Sequence, residues 1–195
     1  MRAMIVAALA WVLSIQGAIA GMPLLQRLQQ PVRPACVSSP FGPRVLPGKP
    51  QAGTYHYGID LPAPVGAPVR AVASGAVIAV IDRGPGGLQM IVQHPGFVGI
   101  YSHFGSIASQ FLEGQRLVRA GEQLGEIGLT GVTYGAHLYF AMMVGNQPIN
   151  PMPYLALALC KPEYHNGQSV TLSADGKVLP SRHYRGLYRT LLATR

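Results

Sequence analysis

Three histidines, an aspartate and a tyrosine stand at spacings that could build a metal-centred hydrolytic site. His56-Tyr57-Gly58-Ile59-Asp60 offers an imidazole and a carboxylate, two of the commonest zinc ligands. About 80 residues further on, His137-Leu138-Tyr139 offers a second pair, with His103 between the two motifs. A catalytic zinc takes three protein ligands and keeps a fourth position for water, so the third donor decides the chemistry. Side chains two apart on a strand share a face, and Tyr139 therefore points where His137 points. A phenol is a poor replacement for imidazole, because its pKa is about 10 against about 6.5 and it binds zinc well only as phenolate. Its oxygen also reaches into the space that a metal with bonds of ~2.0–2.1 Å would fill. These residue types lead to an expectation of weak zinc binding at best, with Tyr139 a doubtful ligand.

The elements that must position these side chains are short. The chain has 195 residues, 49% of them apolar, with 24 Gly and 17 Pro. That composition supports one core and many turns rather than long helices. Strand-like runs cover Pro68 to Ala73, Ala76 to Ile81, Leu88 to Gln93, Val98 to His103, Gln123 to Ile127 and His137 to Val144, separated by glycine and proline clusters. Brief helical character appears at Ile107 to Phe111, and the expected architecture is mostly β, an antiparallel core with no crossover helices. His94, before Pro95-Gly96, reads as a turn residue.

Composition divides the chain further. Residues 1–20 carry Arg2, an apolar stretch from Ala3 to Ile15 and a small-residue Ala18-Ile19-Ala20 site, the pattern of an export signal cleaved near Ala20/Gly21. An uncleaved membrane anchor is the alternative. Residues 21–34 read as a linker, 35–160 as the folded domain and 161–195 as a basic extension. Export leads to a periplasmic or secreted product. In such a compartment Cys36 and Cys160 either form a disulfide, worth about 4–5 kcal/mol in the chain-entropy model, or remain two buried thiols. The net charge is +8. In the extension Lys161, Lys177, Arg182, Arg185, Arg189 and Arg195 face Glu163 and Asp175. This surplus suits an anionic wall polymer or membrane surface, or else a solvated tail. Nothing resembles a nucleic-acid-binding module. Asn166-Gly167 and Asp175-Gly176 suggest a hairpin around Ser169 to Leu179, and Tyr184 to Arg195 mixes Leu and Arg at near-helical spacing.

Six segments together resemble a known family. Ser39-Pro40-Phe41-Gly42-Pro43-Arg44, His56 to Leu61, Gly66-Ala67-Pro68-Val69, Tyr101-Ser102-His103-Phe104, Gly128-Leu129-Thr130-Gly131 and Gly135 to Phe140 occur in the order of the lysostaphin-type, or LytM-like, zinc metallopeptidases. Asn150 to Leu155 resembles the segment closing that domain. The resemblance spans about residues 36–155 and implies a compact antiparallel β-sheet sandwich with a zinc groove that cuts peptide crosslinks of peptidoglycan. It implies His56 and Asp60 as metal ligands, and His103 and His137 as the catalytic histidines. Tyr139 falls on the third ligand position, where the pattern fails, and Ala141 replaces a Glu common in the family. Two readings follow. One is a zinc endopeptidase acting on wall crosslinks. The other is a non-catalytic module of the same shape that binds peptidoglycan or regulates a partner wall hydrolase.

Overall fold

Alternation along one strand organises the molecule. From His137 to Val144, Leu138, Phe140 and Met142 are buried, while His137 and Tyr139 on the opposite face are partly exposed. A strand with one face on a core has this period of two. The computed structural model describes residues 28–82, 84–165, 168–172 and 178–179. The expected leader 1–20, linker residues 21–27 and the segment Tyr184 to Arg195 lie outside the described residues.

In chain order the strands are β1 (Gly42–Pro43), β2 (Tyr55–His56), β3 (Ile59–Pro62), β4 (Pro68–Arg70), β5 (Gly75–Asp82), β6 (Leu88–His94), β7 (Phe97–Ser102), β8 (Phe104–Ile107), β9 (Leu117–Val118), β10 (Gln123–Ile127), β11 (His137–Val144), β12 (Gln147–Ile149), β13 (Pro162–His165), β14 (Gln168–Leu172) and β15 (Val178–Leu179). Two one-turn helices, α1 (Ser109–Leu112) and α2 (Met152–Leu155), complete them.

The large sheet runs β12-β11-β7-β6-β5-β9, and β3 also pairs with β11. At eight residues, β11 takes β7 on one edge and β3 followed by β12 on the other. A smaller sheet orders β4-β10-β8. The strand pairings are antiparallel, as expected. One continuous core joins the sheets: Tyr101, Met90, Leu138 and Phe140 from the large one meet Val69, Phe104, Leu124 and Ile127 from the small one.

Four local expectations need correction. Residues 28–34 are docked rather than free: Val32 is buried, Gln29 N–H donates to Val72 O at 2.8 Å, and Arg70 N–H donates to Pro31 O at 2.7 Å. A short polar, proline-bearing stretch carries no sign of such docking in its composition. The helical turn begins at Ser109, because Ile107 completes β8 by pairing with Gly125. His94 belongs to the core. It lies at the end of β6 opposite Phe97, and its Nδ1–H donates to Ser74 O at 3.0 Å. Its Nε2 therefore accepts from the Tyr101 hydroxyl at 3.1 Å, and that oxygen accepts from Val72 N–H at 3.1 Å. Burial holds His94 below the usual imidazole range and pushes the Tyr101 phenol up, so this buried relay is neutral. In the extension, pairing begins at Pro162, earlier than the expected hairpin, and makes the meander β13-β14-β15.

Cys36 and Cys160 are bonded across a separation of 124 residues. A parallel bridge between Val37 and Leu159 lies beside them, with Val37 N–H donating to Ala158 O at 2.9 Å and Cys160 N–H to Val37 O at 3.0 Å. The bond thus closes the domain where its first and last backbone segments already meet. Thiol titration of the unfolded, unreduced protein should find no reactive sulfur. Replacing both cysteines with serine should cost about 2–5 kcal/mol in urea unfolding, and a variant as stable as the wild type would contradict this role.

Candidate functional site

Strand register sets the site. In β11, Tyr139 stands opposite Asp60 of β3 on one side and Ser102 of β7 on the other, and His137 stands opposite Pro62. His56 ends β2, which β1 pins through the register Gly42 to His56. His103 occupies the single residue between β7 and β8, where the chain leaves the large sheet for the small one. Its φ is +69°, a left-handed conformation uncommon for a residue other than glycine. Backbone bonds hold it there: His103 N–H donates to Gly86 O at 3.1 Å, and Gly128 N–H to His103 O at 2.8 Å. This corner directs the imidazole into a groove of about 390 Å³ that His56, Asp60, His137 and Tyr139 also line.

Asp60 is the electrostatic centre. Its Oδ1 lies 3.2 Å from His56 Nε2 and 3.4 Å from His137 Nε2, and its Oδ2 lies 3.5 Å from Arg44 Nη1. Burial pushes the Asp60 carboxyl up, but His137 and His56 outweigh it and hold the group well below the usual carboxylate range. His137 Nδ1 donates to Gly135 O at 2.8 Å, so both ring nitrogens face acceptors. Burial pulls this imidazole down, yet the charge and hydrogen bond of Asp60 leave it above its ordinary pKa. His103 differs: burial, then the charge on His137, lowers its pKa. Its Nδ1–H donates to Thr130 O at 2.8 Å, leaving Nε2 as an acceptor toward the groove. The ring centroids of His103 and His137 lie 4.7 Å apart, and their surroundings shift the two imidazoles in opposite directions, His103 toward the neutral form and His137 toward the protonated one.

Tyr139 is turned away from a ligand's role. A Cβ built on Gly58 would come within 2.8 Å of its ring carbons Cε2 and Cζ, so the phenol packs over the glycine of the first motif. Burial, then the charge on Asp60, pushes its pKa up to about 12, opposite to the phenolate that zinc prefers. Among the described residues, no three His, Cys, Asp or Glu side chains form a group that could hold a metal ion. The donors that would serve are spent on one another: the two Nε2 atoms meet on a single carboxylate oxygen. This donor set does not fit a three-ligand catalytic zinc.

Motif spacing does not disclose several supporting residues. Arg44 donates to Ser39 Oγ and to Ala52 O, both at 2.8 Å, fixing the loop above Asp60. Its buried Nε has no hydrogen-bond partner. Thr130 Oγ1 donates to Phe104 O at 2.8 Å and accepts from Leu88 N–H at 3.0 Å, which holds the carbonyl that orients His103. Gly87 and Gly131 touch backbone to backbone, and a Cβ on either would come within 2.4 Å of the other's nitrogen. This close approach requires glycine at both positions.

Comparison with known proteins gives the same fold. The model of Peptidase family M23 matches residues 54–151. The DD-carboxypeptidase/endopeptidase Mpg of Neisseria meningitidis serogroup B is 35% identical over 140 residues, which is 71% of this chain and 31% of that protein. The peptidoglycan DD-endopeptidase ShyA of Vibrio cholerae is 31% identical over 117 residues, 60% of this chain and 26% of that protein. The chain thus spans about a third or less of the length of these relatives. A crystal structure of a zinc-containing peptidase from Vibrio cholerae superposes with a TM-score of 0.56 at 26% identity, covering 69% of this chain and 41% of that one.

Two outcomes follow. Metal analysis after dialysis at neutral pH should find well under one equivalent of zinc in the wild type and a higher content in Tyr139→His, which restores an imidazole donor. Stoichiometric zinc in the dialysed wild type would show that another group completes the shell. In chelator-treated protein, the raised His137 pKa contributes stability that is full below about pH 6.5 and is lost as pH rises through the folded value. The depressed Asp60 pKa contributes stability present above about pH 4 and lost on further acidification. The lowered pKa values of His94 and His103 remove stability as pH falls below about 6.5 and add no slope above it, so the fall of the thermal midpoint on the alkaline side is the limb that reports on His137. His137→Gln should flatten the alkaline fall, and an unchanged alkaline limb would remove His137 as its source.

Proposed function

Because the chain belongs to peptidase family M23, we propose that its groove takes the peptide of bacterial cell-wall peptidoglycan and holds it without cutting it. The observation that carries this reading is the closed cluster at Asp60, where Arg44, His56 and His137 engage the carboxylate and a neutral Tyr139 occupies the third ligand position. Removing any one of these partners would weaken the compensation of a largely buried charge, so the cluster supports the shape of the groove.

The remaining groups suit a peptide. His103 Nε2 offers an acceptor for a peptide N–H, and the unpartnered Arg44 Nε is the kind of buried donor that a ligand oxygen satisfies when loops adjust. Peptidoglycan is the polymer named in the Vibrio cholerae relative, and a substrate outside the cytoplasm agrees with the export pattern of residues 1–20. Regulation of a partner wall hydrolase, by occupying its substrate, is the role such a module would fill.

Crosslink hydrolysis is the second reading, and one observation favours it. His56, Asp60, His103 and His137 line one cavity, and the departure is confined to the fifth position. That reading requires a third donor that neutral Tyr139 does not provide.

A single experiment separates the two. Purified protein should co-sediment with purified sacculi and release no muropeptide, with or without added zinc. Zinc-dependent release that disappears in Asp60→Ala would establish hydrolysis and overturn the non-catalytic reading. Failure to bind either sacculi or a soluble crosslinked stem peptide would overturn the peptide groove itself.

A further inference from the structure

An exposed aromatic pair flanks His56. Tyr55 opens the two-residue strand β2 that His56 ends, and Tyr57 follows in the bend after it; His56 is buried, while Tyr55 and Tyr57 remain 38% and 57% exposed. Their ring centroids are 4.8 Å apart at an interplanar angle of 42°. Phe41 meets Tyr55 edge-on, with centroids 5.6 Å apart at 86°, so the pair is braced from one side and open on the other. Both tyrosines line the same groove as His56 and Asp60. Isolated exposed apolar residues are ordinary, but a braced aromatic pair continuous with a groove marks a contact surface.

The chemistry of the rings selects the occupant. A tyrosine presents an apolar face with a polar tip at its edge, and it supplies rigid contact area at low entropic cost. A pyranose ring is the complementary object, with C–H bonds on its face and hydroxyl groups around its rim. A peptide of peptidoglycan arrives attached to a glycan strand, so a saccharide is available to a surface continuous with the groove.

We infer that Tyr55 and Tyr57 form a sugar-stacking platform that takes a pyranose ring of the glycan strand whose peptide occupies the groove. This rests on the peptide-binding reading given above and adds a second ligand class to it. Tyr57 is the principal contact, being the more exposed ring, and Tyr55 braced by Phe41 holds its inclination.

The test uses three soluble probes: an N-acetylglucosamine–N-acetylmuramic acid disaccharide, the same disaccharide bearing its stem peptide, and the free stem peptide. Titration calorimetry of the wild type should show the peptidyl disaccharide binding about five- to tenfold tighter than the free peptide. Tyr57→Ala should reduce that advantage to within about twofold, its loss of affinity for the peptidyl disaccharide exceeding any loss for the free peptide. Tyr57→Phe, which keeps the ring face, should retain it. Equal affinity of the wild type for the peptidyl disaccharide and the free peptide would overturn the platform. So would a Tyr57→Ala variant that loses affinity for both to the same extent, since the ring would then belong to the peptide groove or to folding. If the sugar-bearing probes bind in a Tyr57-dependent way while the free peptide does not bind at all, the peptide-binding reading fails and the platform stands.

Discussion

A carboxylate taken out of water has to be neutralised, and the arrangement around Asp60 follows from that requirement. Asp60 sits in β3 with its backbone bonded to Ser39 and Ser38, so the pleat fixes the face of the strand from which its side chain leaves. Desolvation of a charge costs several kcal/mol unless partners are in place. Arg44 supplies one from the loop, His56 one from the short strand β2, and His137 one from β11. Segments that are distant in sequence are thereby committed to a common point. The same requirement explains why a cation on His137 is favoured, and why a phenol beside that carboxylate is held neutral.

Around this point the fold works as a frame of short antiparallel strands whose corners carry the polar groups. His103 is placed by the passage from one sheet to the other, and its left-handed backbone is held by bonds from Gly86 and Gly128. Strained backbone of this kind persists where its surroundings over-determine it, and here Thr130 and the contact between Gly87 and Gly131 do so. The disulfide ties the segment before the first motif to the segment after the last. Tyr101, Phe104, Phe140 and Leu138 are fully buried in the core, whereas Tyr55 and Tyr57 stay exposed.

Membership of Peptidase family M23 describes the scaffold, and the chemistry of one position qualifies what the scaffold does. Tyr139 enters at a strand position whose direction is fixed by the pleat, so it cannot avoid the groove. Gly58, lacking a Cβ, gives its ring a place to lie. The substitution is thus accommodated by the first motif itself, without disturbing the register of β3, β11 and β7. A groove can in this way keep its shape while its donor set closes on itself.

The sequence by itself determined the larger features. Strands β5, β6, β7, β10 and β11 are legible because each carries four or more apolar or alternating residues between glycine and proline breaks. The shared direction of His137 and Tyr139 follows from the period of a strand alone. Two-residue strands such as β1, β2 and β9 are not legible, since so few residues carry no period. Neither the docking of residues 28–34 nor the burial of His94 could be read, because both depend on partners tens of residues away. Tertiary structure alone decided that Arg44 and both histidines converge on one carboxylate, that Tyr139 rests on Gly58, and that Cys36 meets Cys160. The division has a physical cause. Periodicity and turn chemistry are local properties of the chain, whereas the charge balance of a buried site is set by which strands pair and in which register.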